Sequence, residues 1–164
     1  MILYHGSVSI VERPQIIKSD IGRDFGYGFY VTNIKEQAIR WANRKAKILG
    51  AGNKEVIPVL NMYEYHEGEA LNELKIKRFT EPSLDWLEFV VSCRGNIHFR
   101  HEFDLVIGNI ANDNVGETVS YVMSGVMRKE DAVERLRFEK INNQFCFCTE
   151  RSFGYLQFTK HLLL

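Results

Sequence analysis

The sequence has little proline, little cysteine and no excess of charge of either sign. Three of its 164 residues are proline and three are cysteine, while 21 Lys and Arg balance 21 Asp and Glu. Cys93 stands alone, and Cys146 and Cys148 alternate in a strand-like segment, so the cysteines indicate neither a disulfide framework nor a spaced zinc site. Balanced charge argues against a dedicated DNA-binding protein but is compatible with a local basic groove.

Long apolar runs are also missing. No stretch approaches the roughly 18–20 apolar residues that a membrane helix needs. The first residues, MILYHGS, are too few for the apolar region of a signal peptide and carry no basic residue before it. We therefore expect a reduced, cytoplasmic protein without membrane contact, and the length predicts a single domain over residues 1–164.

Strand-like and helix-like segments follow one another without a regular βαβα order. Segments rich in β-branched and aromatic residues predict strands at MILYH, GFYVT, EVIPVLNMYEY and FDLVIGNI. Apolar residues at helical spacing predict helices at NIKEQAIRWANRKAKIL, EPSLDWLEFVVSCR, DNVGETVSYVMSG and KEDAVERLRF. This mixed order predicts an α+β fold with mostly antiparallel strands. Pro58 predicts that its strand lies at a sheet edge or contains a bulge.

The first predicted helix has an apolar stripe. Its members are Ile34, Ala38, Trp41, Ala42 and Leu49. On this pattern Trp41 is a candidate core residue. Asn33, followed three positions later by Glu36, resembles a capping box at the start of the helix.

The segment GRDFGYGFYVT, residues 22–32, combines three glycines with several aromatic residues. Gly22, Gly26 and Gly28 allow backbone conformations closed to other residues, or the close approach of a ligand. The segment precedes a strand and not a helix, so it is not the phosphate-binding turn of a dinucleotide-binding fold. Two interpretations follow: a plain loop before a strand, or a surface on which a flat ligand lies close to the backbone and to Tyr30.

Other candidate chemistry is sparse. His5, directly before Gly6 and Ser7, is a candidate ligand-binding or catalytic histidine. His98 and His101 have a spacing that suits a metal, but no third ligand accompanies them, so a solvated loop is favoured and no metal is predicted. The sequence contains no P-loop and no nucleophile elbow.

Taken in order, these segments resemble the ADP-ribosyltransferase family shared by diphtheria-type toxins and poly(ADP-ribose) polymerases. The resemblance rests on YHGS, then GRDFGYGFYVT, then QAIRWA, with Trp41 eleven positions after Tyr30. It implies a fold of split, mostly antiparallel β-sheets flanked by helices. The whole chain also looks like a group of small bacterial proteins described as a domain of unknown function.

The resemblance implies that NAD is the donor substrate, cleaved between nicotinamide and ribose through a cation-like sugar. His5 would hydrogen-bond a ribose hydroxyl, and Gly6 would offer backbone groups to the nicotinamide amide. Tyr30 and Trp41 would enclose the nicotinamide ring. The NAD-binding residues implied in this way are His5, Gly6, Ser7, Phe25, Gly28, Tyr30 and Trp41.

Gln144 departs from the family pattern. Catalytic members carry an acidic or variable residue at the opening of a late strand, and NNQFCFC places Gln144 there. Glutamate would hold the ribose 2′-hydroxyl and stabilise the developing positive charge, whereas glutamine supplies the hydrogen bond without the charge. The resemblance therefore implies His5, Tyr30 and Gln144 as catalytic residues. Glu150 is a substitute candidate if the strand continues that far.

The implied function is a mono-ADP-ribosyltransferase, with the toxin of a bacterial toxin–antitoxin or defence pair as its expected setting and an antitoxin as partner. Two alternatives stay open: a module that binds NAD or ADP-ribose without turnover, and an NAD glycohydrolase that uses water as acceptor. The sequence does not identify the acceptor among proteins, nucleic acids and small molecules.

Overall fold

The computed structural model describes residues 1–18, 22–51, 55–110, 113–137 and 142–164 of the chain. Seven strands lie within these ranges: β1 (Ile2–Ser7), β2 (Phe29–Val31), β3 (Val59–Tyr65), β4 (Ile76–Arg78), β5 (Leu105–Ile110), β6 (Asn142–Phe147) and β7 (Leu156–Leu163). The α-helices are α1 (Lys35–Leu49), α2 (Glu67–Glu73), α3 (Leu84–Gly95), α4 (Asp113–Met123) and α5 (Lys129–Leu136). A 3₁₀ helix, Glu150–Tyr155, connects β6 to β7. The predicted α+β class is confirmed at this level.

The strands form two sheets. One has the order β1-β3-β7, and the other has the order β2-β6-β5-β4. The strand pairs within them are antiparallel except for β4 and β5, which run parallel. Tyr4 and Thr32 form an isolated antiparallel bridge that joins β1 to β2, and so joins the two sheets. β1, β2 and β6 are therefore neighbours in that order.

The main apolar core lies between the two sheets. Its largest fully buried side chains come from both sheets, and they are Leu3, Phe29, Tyr63, Tyr65, Leu105, Phe145 and Phe147. Alternation along β6 sends Phe145 and Phe147 to this core and Cys146 to the opposite face. There a second core forms against the helices α3, α4 and α5, around Trp86, Val90, Val119 and Leu136.

α1 packs on the outer side of the three-stranded sheet through small residues. Its buried residues are Ala38, Ala42 and Ala46. A Cβ added to Gly6 on β1 would lie 2.0 Å from the carbonyl oxygen of Ala38. The helix backbone thus approaches the strand so closely that only glycine fits at this position.

Two expectations about local structure are wrong, one of them only in part. The residue preceding α1 is Ile34 and no side chain caps the helix, so Asn33 and Glu36 form no capping box. Instead the hydroxyl of Thr32 accepts a hydrogen bond from the Ile34 N–H at 3.1 Å. Pro58 lies just before β3, which is the central strand of its sheet, so the predicted edge position is wrong. The alternative of a bulge agrees with the register shift between Met62 and Tyr63 where β3 pairs with β7.

Candidate functional site

An open cleft lies between β1, the segment before β2 and the outward face of α1. It encloses about 200 Å³ and is lined by His5, Ile17, Arg23, Trp41, Arg44, Lys45, Ile48 and Leu49. Four of these residues, at positions 41, 44, 45 and 48, follow the spacing of one helix face. α1 therefore buries its alanines against β1 and presents a second, larger set of side chains to the cleft.

The cleft has an apolar wall that is open to solvent. Trp41 is 54% exposed and Ile48 is 65% exposed, and Ile17 and Leu49 are also exposed. The prediction that Trp41 belongs to the core stripe of α1 is therefore wrong, as it is for Leu49. A large flat ring held at the surface beside other apolar groups is suited to stacking against a planar ligand.

His5 is the histidine of the cleft, and its ring is fixed on two sides. Its Nδ1 lies 2.7 Å from the backbone carbonyl oxygen of Tyr30. The ring also contacts Phe29, with centroids 4.5 Å apart. Because a carbonyl only accepts, Nδ1 carries the hydrogen and Nε2 keeps its lone pair.

The environment of His5 holds its ring neutral. Burial, together with the nearby cations Lys45 and Arg23, lowers the pKa of His5 to about 4, against the opposing effect of the hydrogen bond to Tyr30. At neutral pH the imidazole is therefore uncharged. Its Nε2 is available as a hydrogen-bond acceptor for a hydroxyl group.

Three cations line the same cleft. They are Arg23, Arg44 and Lys45, and the described residues of the lining include no aspartate or glutamate. The Arg23 guanidinium also lies over the Tyr30 ring, 5.6 Å from its centroid. This group of cations was not predicted from the sequence, although Arg44 and Lys45 lie one helical turn after Trp41 and a helical wheel places the three residues together. The local charge favours an anionic ligand.

Tyr30 contributes its backbone to the cleft, and its ring lies elsewhere. Its hydroxyl donates to the carbonyl oxygen of Gly26 at 2.5 Å and accepts from the N–H of Phe25 at 3.3 Å. The ring packs against the second core, in which Phe25 is fully buried. The Tyr30 ring therefore does not lie opposite Trp41 across the cleft. Phe25 is too deeply buried to contact a ligand.

The glycines of the predicted site are required by the fold. Gly6 lies beneath α1, as described above. A Cβ on Gly28 would lie 2.5 Å from the sulfur of Cys146 and 2.7 Å from the carbonyl oxygen of Phe147. The close approach at Gly28 is thus made by β6 and not by a ligand.

Ser7, the remaining predicted site residue on β1, is buried, with its hydroxyl 3.4 Å from that of Ser9.

A family model described as "Protein of unknown function (DUF3990)" matches residues 1–158. The chain belongs to this family. No curated protein and no solved structure matches the chain.

Gln144 of this DUF3990 chain does not line the cleft. It lies on β6 opposite Gly108 of β5, on the face that it shares with Cys146. The His5 ring contacts Phe29, whose side chain belongs to the opposite face. The structure therefore brings His5 and Trp41 together but leaves Gln144 outside.

Glu150 does not take the place of Gln144. β6 ends at Phe147, and Glu150 begins the 3₁₀ helix with an exposed side chain. The condition under which Glu150 is a substitute candidate, that the strand continues that far, is therefore not met.

None of the helices in the described part of the chain combines the length and the apolar character that spanning a membrane requires. Nor do those residues include a group of three or more His, Cys, Asp or Glu side chains that could hold a metal ion.

His98 is exposed, whereas His101 is partly buried and bonds to the carbonyl oxygen of Phe25 at 3.1 Å. The interpretation of both as members of a solvated loop is therefore wrong for His101.

Proposed function

We propose that this protein is an NAD-dependent mono-ADP-ribosyltransferase with an ADP-ribosyltransferase-like fold, and that NAD binds in the cleft between His5 and Trp41. The observation that carries the proposal is the combination found there: a neutral histidine, an exposed flat ring and three cations. A dinucleotide offers a matching set of groups, because it has ribose hydroxyls, planar rings and a charged pyrophosphate.

Each part of the cleft has a role in holding NAD. Arg23, Arg44 and Lys45 would neutralise the pyrophosphate. Trp41 would stack on one of the two planar rings. The Nε2 atom of His5 would accept a hydrogen bond from a ribose hydroxyl, oriented by the bond between Nδ1 and Tyr30.

The size of the cleft limits how much of the ligand it encloses. Its volume of about 200 Å³ is below the roughly 300–1,000 Å³ of usual small-molecule pockets. One end of the dinucleotide would therefore be enclosed, and the other would lie across the surface. NAD supplies its own leaving group, nicotinamide, and the protein would contribute the orientation of the ribose.

The strand order supports the transferase proposal. His5 is on β1, Tyr30 is on β2 and Gln144 is on β6, and these strands are neighbours. The acceptor would be a protein, a nucleic acid or a small molecule, and a toxin with a cognate antitoxin is the setting we propose.

A module that binds NAD or ADP-ribose without turnover is the second candidate. The position of Gln144 favours it, because the side chain proposed to stabilise the reacting sugar faces away from the His5 ring. The described residues of the cleft also supply no carboxylate that would balance positive charge on the ribose.

The two candidates are separated by measuring binding and turnover side by side. NAD affinity is measured by calorimetry and nicotinamide release by chromatography, for the wild type, Gln144→Ala and Gln144→Glu. Labelled NAD is then incubated with a cell lysate, followed by separate protease and nuclease digestion.

Release with label on a macromolecule or small molecule supports the transferase, and release without label indicates a glycohydrolase. Binding without release supports the module. If Gln144 acts in the transition state, Gln144→Ala lowers release by about ten- to a hundredfold with little change in affinity. No binding of NAD at millimolar concentration overturns both candidates.

A further inference from the structure

A second group of reactive side chains lies on the other face of β6, away from the cleft. Cys146 is fully buried there, and Cys148, just beyond the strand, is partly exposed. The sulfur atoms of these two residues are 3.5 Å apart. The Cys148 thiol also donates to the carbonyl oxygen of Cys146 at 3.2 Å. The two cysteines are thus in direct contact and unequal in exposure.

His101 interacts with this pair. Its ring is held between Phe89 and Phe103, with centroids 5.1 Å and 5.6 Å away. The N–H of Phe103 donates to its Nδ1 at 3.3 Å. Burial alone would lower the pKa of His101, but its hydrogen bonds to Cys148 and to the Phe25 carbonyl outweigh burial and raise it. His101 thus interacts with the partly exposed thiol of Cys148.

The contact makes the two thiols chemically different. The interaction with the Cys146 thiol, followed by that with His101, lowers the pKa of Cys148 against the opposing effect of burial. Burial and the bond to Cys148 raise the pKa of Cys146. The first proton to leave the pair therefore comes from Cys148, and Cys146 remains a thiol.

We propose that Cys148 and Cys146 form a peroxide-reactive dithiol, in which Cys148 is the attacking thiolate, Cys146 the resolving thiol and His101 a positioning residue. In the first step the Cys148 sulfur attacks hydrogen peroxide, the O–O bond breaks, and Cys148 sulfenic acid and hydroxide form. In the second step the Cys146 sulfur displaces the hydroxyl group. A disulfide forms, and one water molecule leaves with the Cys146 proton.

The backbone is compatible with such a disulfide. Residues two apart in a strand have Cα atoms roughly 6.4–6.8 Å apart, at the upper end of the range that a disulfide spans. Since β6 ends at Phe147, the backbone of Cys148 is outside the regular strand. Its N–H donates to the carbonyl oxygen of Asp104 at 2.8 Å, so closing the remaining distance requires this hydrogen bond at the end of the strand to shift.

Cys93 provides an internal control. It is buried on α3, and burial raises its pKa to about 12. A thiol with that pKa reacts slowly with peroxide and with alkylating reagents. We expect Cys148 to react with iodoacetamide at least about tenfold faster than Cys93 in the same folded molecule.

The experiment treats the reduced full chain with one equivalent of hydrogen peroxide and maps the products by peptide mass spectrometry. Trypsin releases Cys146 and Cys148 together in residues 141–151 and Cys93 in a separate peptide. For the wild type we expect the 141–151 peptide to lose the mass of two hydrogens, and dithiothreitol to reverse that loss. The Cys93→Ala variant should behave in the same way.

Two variants test the assigned roles. With dimedone present, Cys146→Ala should accumulate the sulfenic acid adduct on Cys148, because no resolving thiol is available. Cys148→Ser should form neither adduct nor disulfide. Should Cys146→Ala fail to fold, dimedone added to the wild type during oxidation should capture the same Cys148 intermediate. Equal reaction of all three cysteines, or an unreactive Cys148 in the folded wild type, overturns the proposal.

His101→Gln tests the positioning role. The groups that face the Cys148 thiol are Cys146, His101, Tyr30 and Cys93, with Arg100 next to the imidazole and Asp24 near Cys93. Only His101 changes in this variant. We expect its pH profile of Cys148 alkylation to move to higher pH and its rate at neutral pH to fall about tenfold. An unchanged profile in a folded His101→Gln protein contradicts this role.

Discussion

The Nδ1 of His5 and the backbone carbonyl oxygen of Tyr30 are 2.7 Å apart, and this hydrogen bond connects β1 to β2 beside the cleft. The bond fixes which nitrogen carries the hydrogen, and burial with two nearby cations removes the charge of the ring. A residue placed by its backbone partner in this way is oriented before any ligand arrives. Tyr30 thus affects the cleft through its main chain, which a substitution of its side chain leaves in place.

The depressed pKa of His5 predicts a pH dependence of stability. The folded value of about 4 is below the ordinary value of 6.5, so the unfolded chain binds more protons between these two values. Stability from this group is therefore fully present above about pH 6.5 and is lost as the pH falls toward 4, by at most about 3 kcal/mol.

We expect His5→Gln to remove this dependence. Urea unfolding at several pH values between 4 and 7.5, for the wild type and for His5→Gln, gives the difference in the free energy of unfolding. Since every other group is common to both proteins, the difference isolates His5. A difference that does not vary with pH contradicts the neutral, buried state of the ring.

Sequence patterns predict the extent of most of the longer elements, although they did not identify the buried face of α1 and the predicted strands did not include β7. α3, α4, α5 and β5 lie where the pattern places them. The short elements α2 and β4 were missed, since seven and three residues are too few to show a period. Their positions follow from packing against residues distant in the sequence.

The cleft is harder to predict from sequence for a specific physical reason. Ala38, Ala42 and Ala46 are weakly apolar, whereas Trp41 is strongly apolar, so a hydrophobic stripe is drawn through Trp41. In the structure α1 buries its alanine face instead, because β1 approaches the helix so closely at Gly6 that only small side chains fit between them. In the same way, alternation along β6 places Gln144 and Phe145 on opposite faces of the strand. Only the tertiary structure shows which of these faces adjoins His5.

Gly6→Ala is expected to destabilise the protein strongly. The added Cβ would meet helix backbone at 2.0 Å, and a helix backbone cannot yield as a flexible side chain does. We expect a loss of about 2–4 kcal/mol in the free energy of unfolding. Gly68→Ala is the matched control, because its Cβ would have no atom within 4 Å and the residue lies in α2.

For Gly68→Ala we expect a gain of up to about 1 kcal/mol, since alanine favours the helix. Denaturant melts of the two variants beside the wild type measure both effects. Equal stability of Gly6→Ala and the wild type would show that α1 does not lie against β1 as described.

Trp41 is expected to matter for the ligand and not for folding. Because 54% of the residue is exposed, Trp41→Ala should change stability little but should weaken NAD binding by about 1–3 kcal/mol. Trp41→Phe, which keeps a flat ring, should retain part of the affinity. Leu71→Ala on α2 is the control, because Leu71 is also exposed but does not line the cleft. Calorimetric titration with NAD separates these variants, and equal affinity of Trp41→Ala and Leu71→Ala excludes stacking on Trp41.

The last prediction concerns the charge of the cleft, and it has one readout that needs no ligand. Lys45 lines the cleft and lowers the pKa of His5, whereas Lys47, two residues further along α1, does not line it. Lys45→Glu should therefore raise the pKa of His5, measured by NMR titration of its imidazole, and Lys47→Glu should change it less.

If the cations also hold the pyrophosphate, Lys45→Glu should weaken NAD binding by about tenfold at low salt, and by less as salt screens the charges. Both variants change the net charge equally, so a shared loss of affinity would reflect overall charge, whereas a loss confined to Lys45→Glu locates the anion beside His5. A shift in the His5 pKa without any change in NAD affinity would support the geometry of the cleft and count against NAD as its ligand.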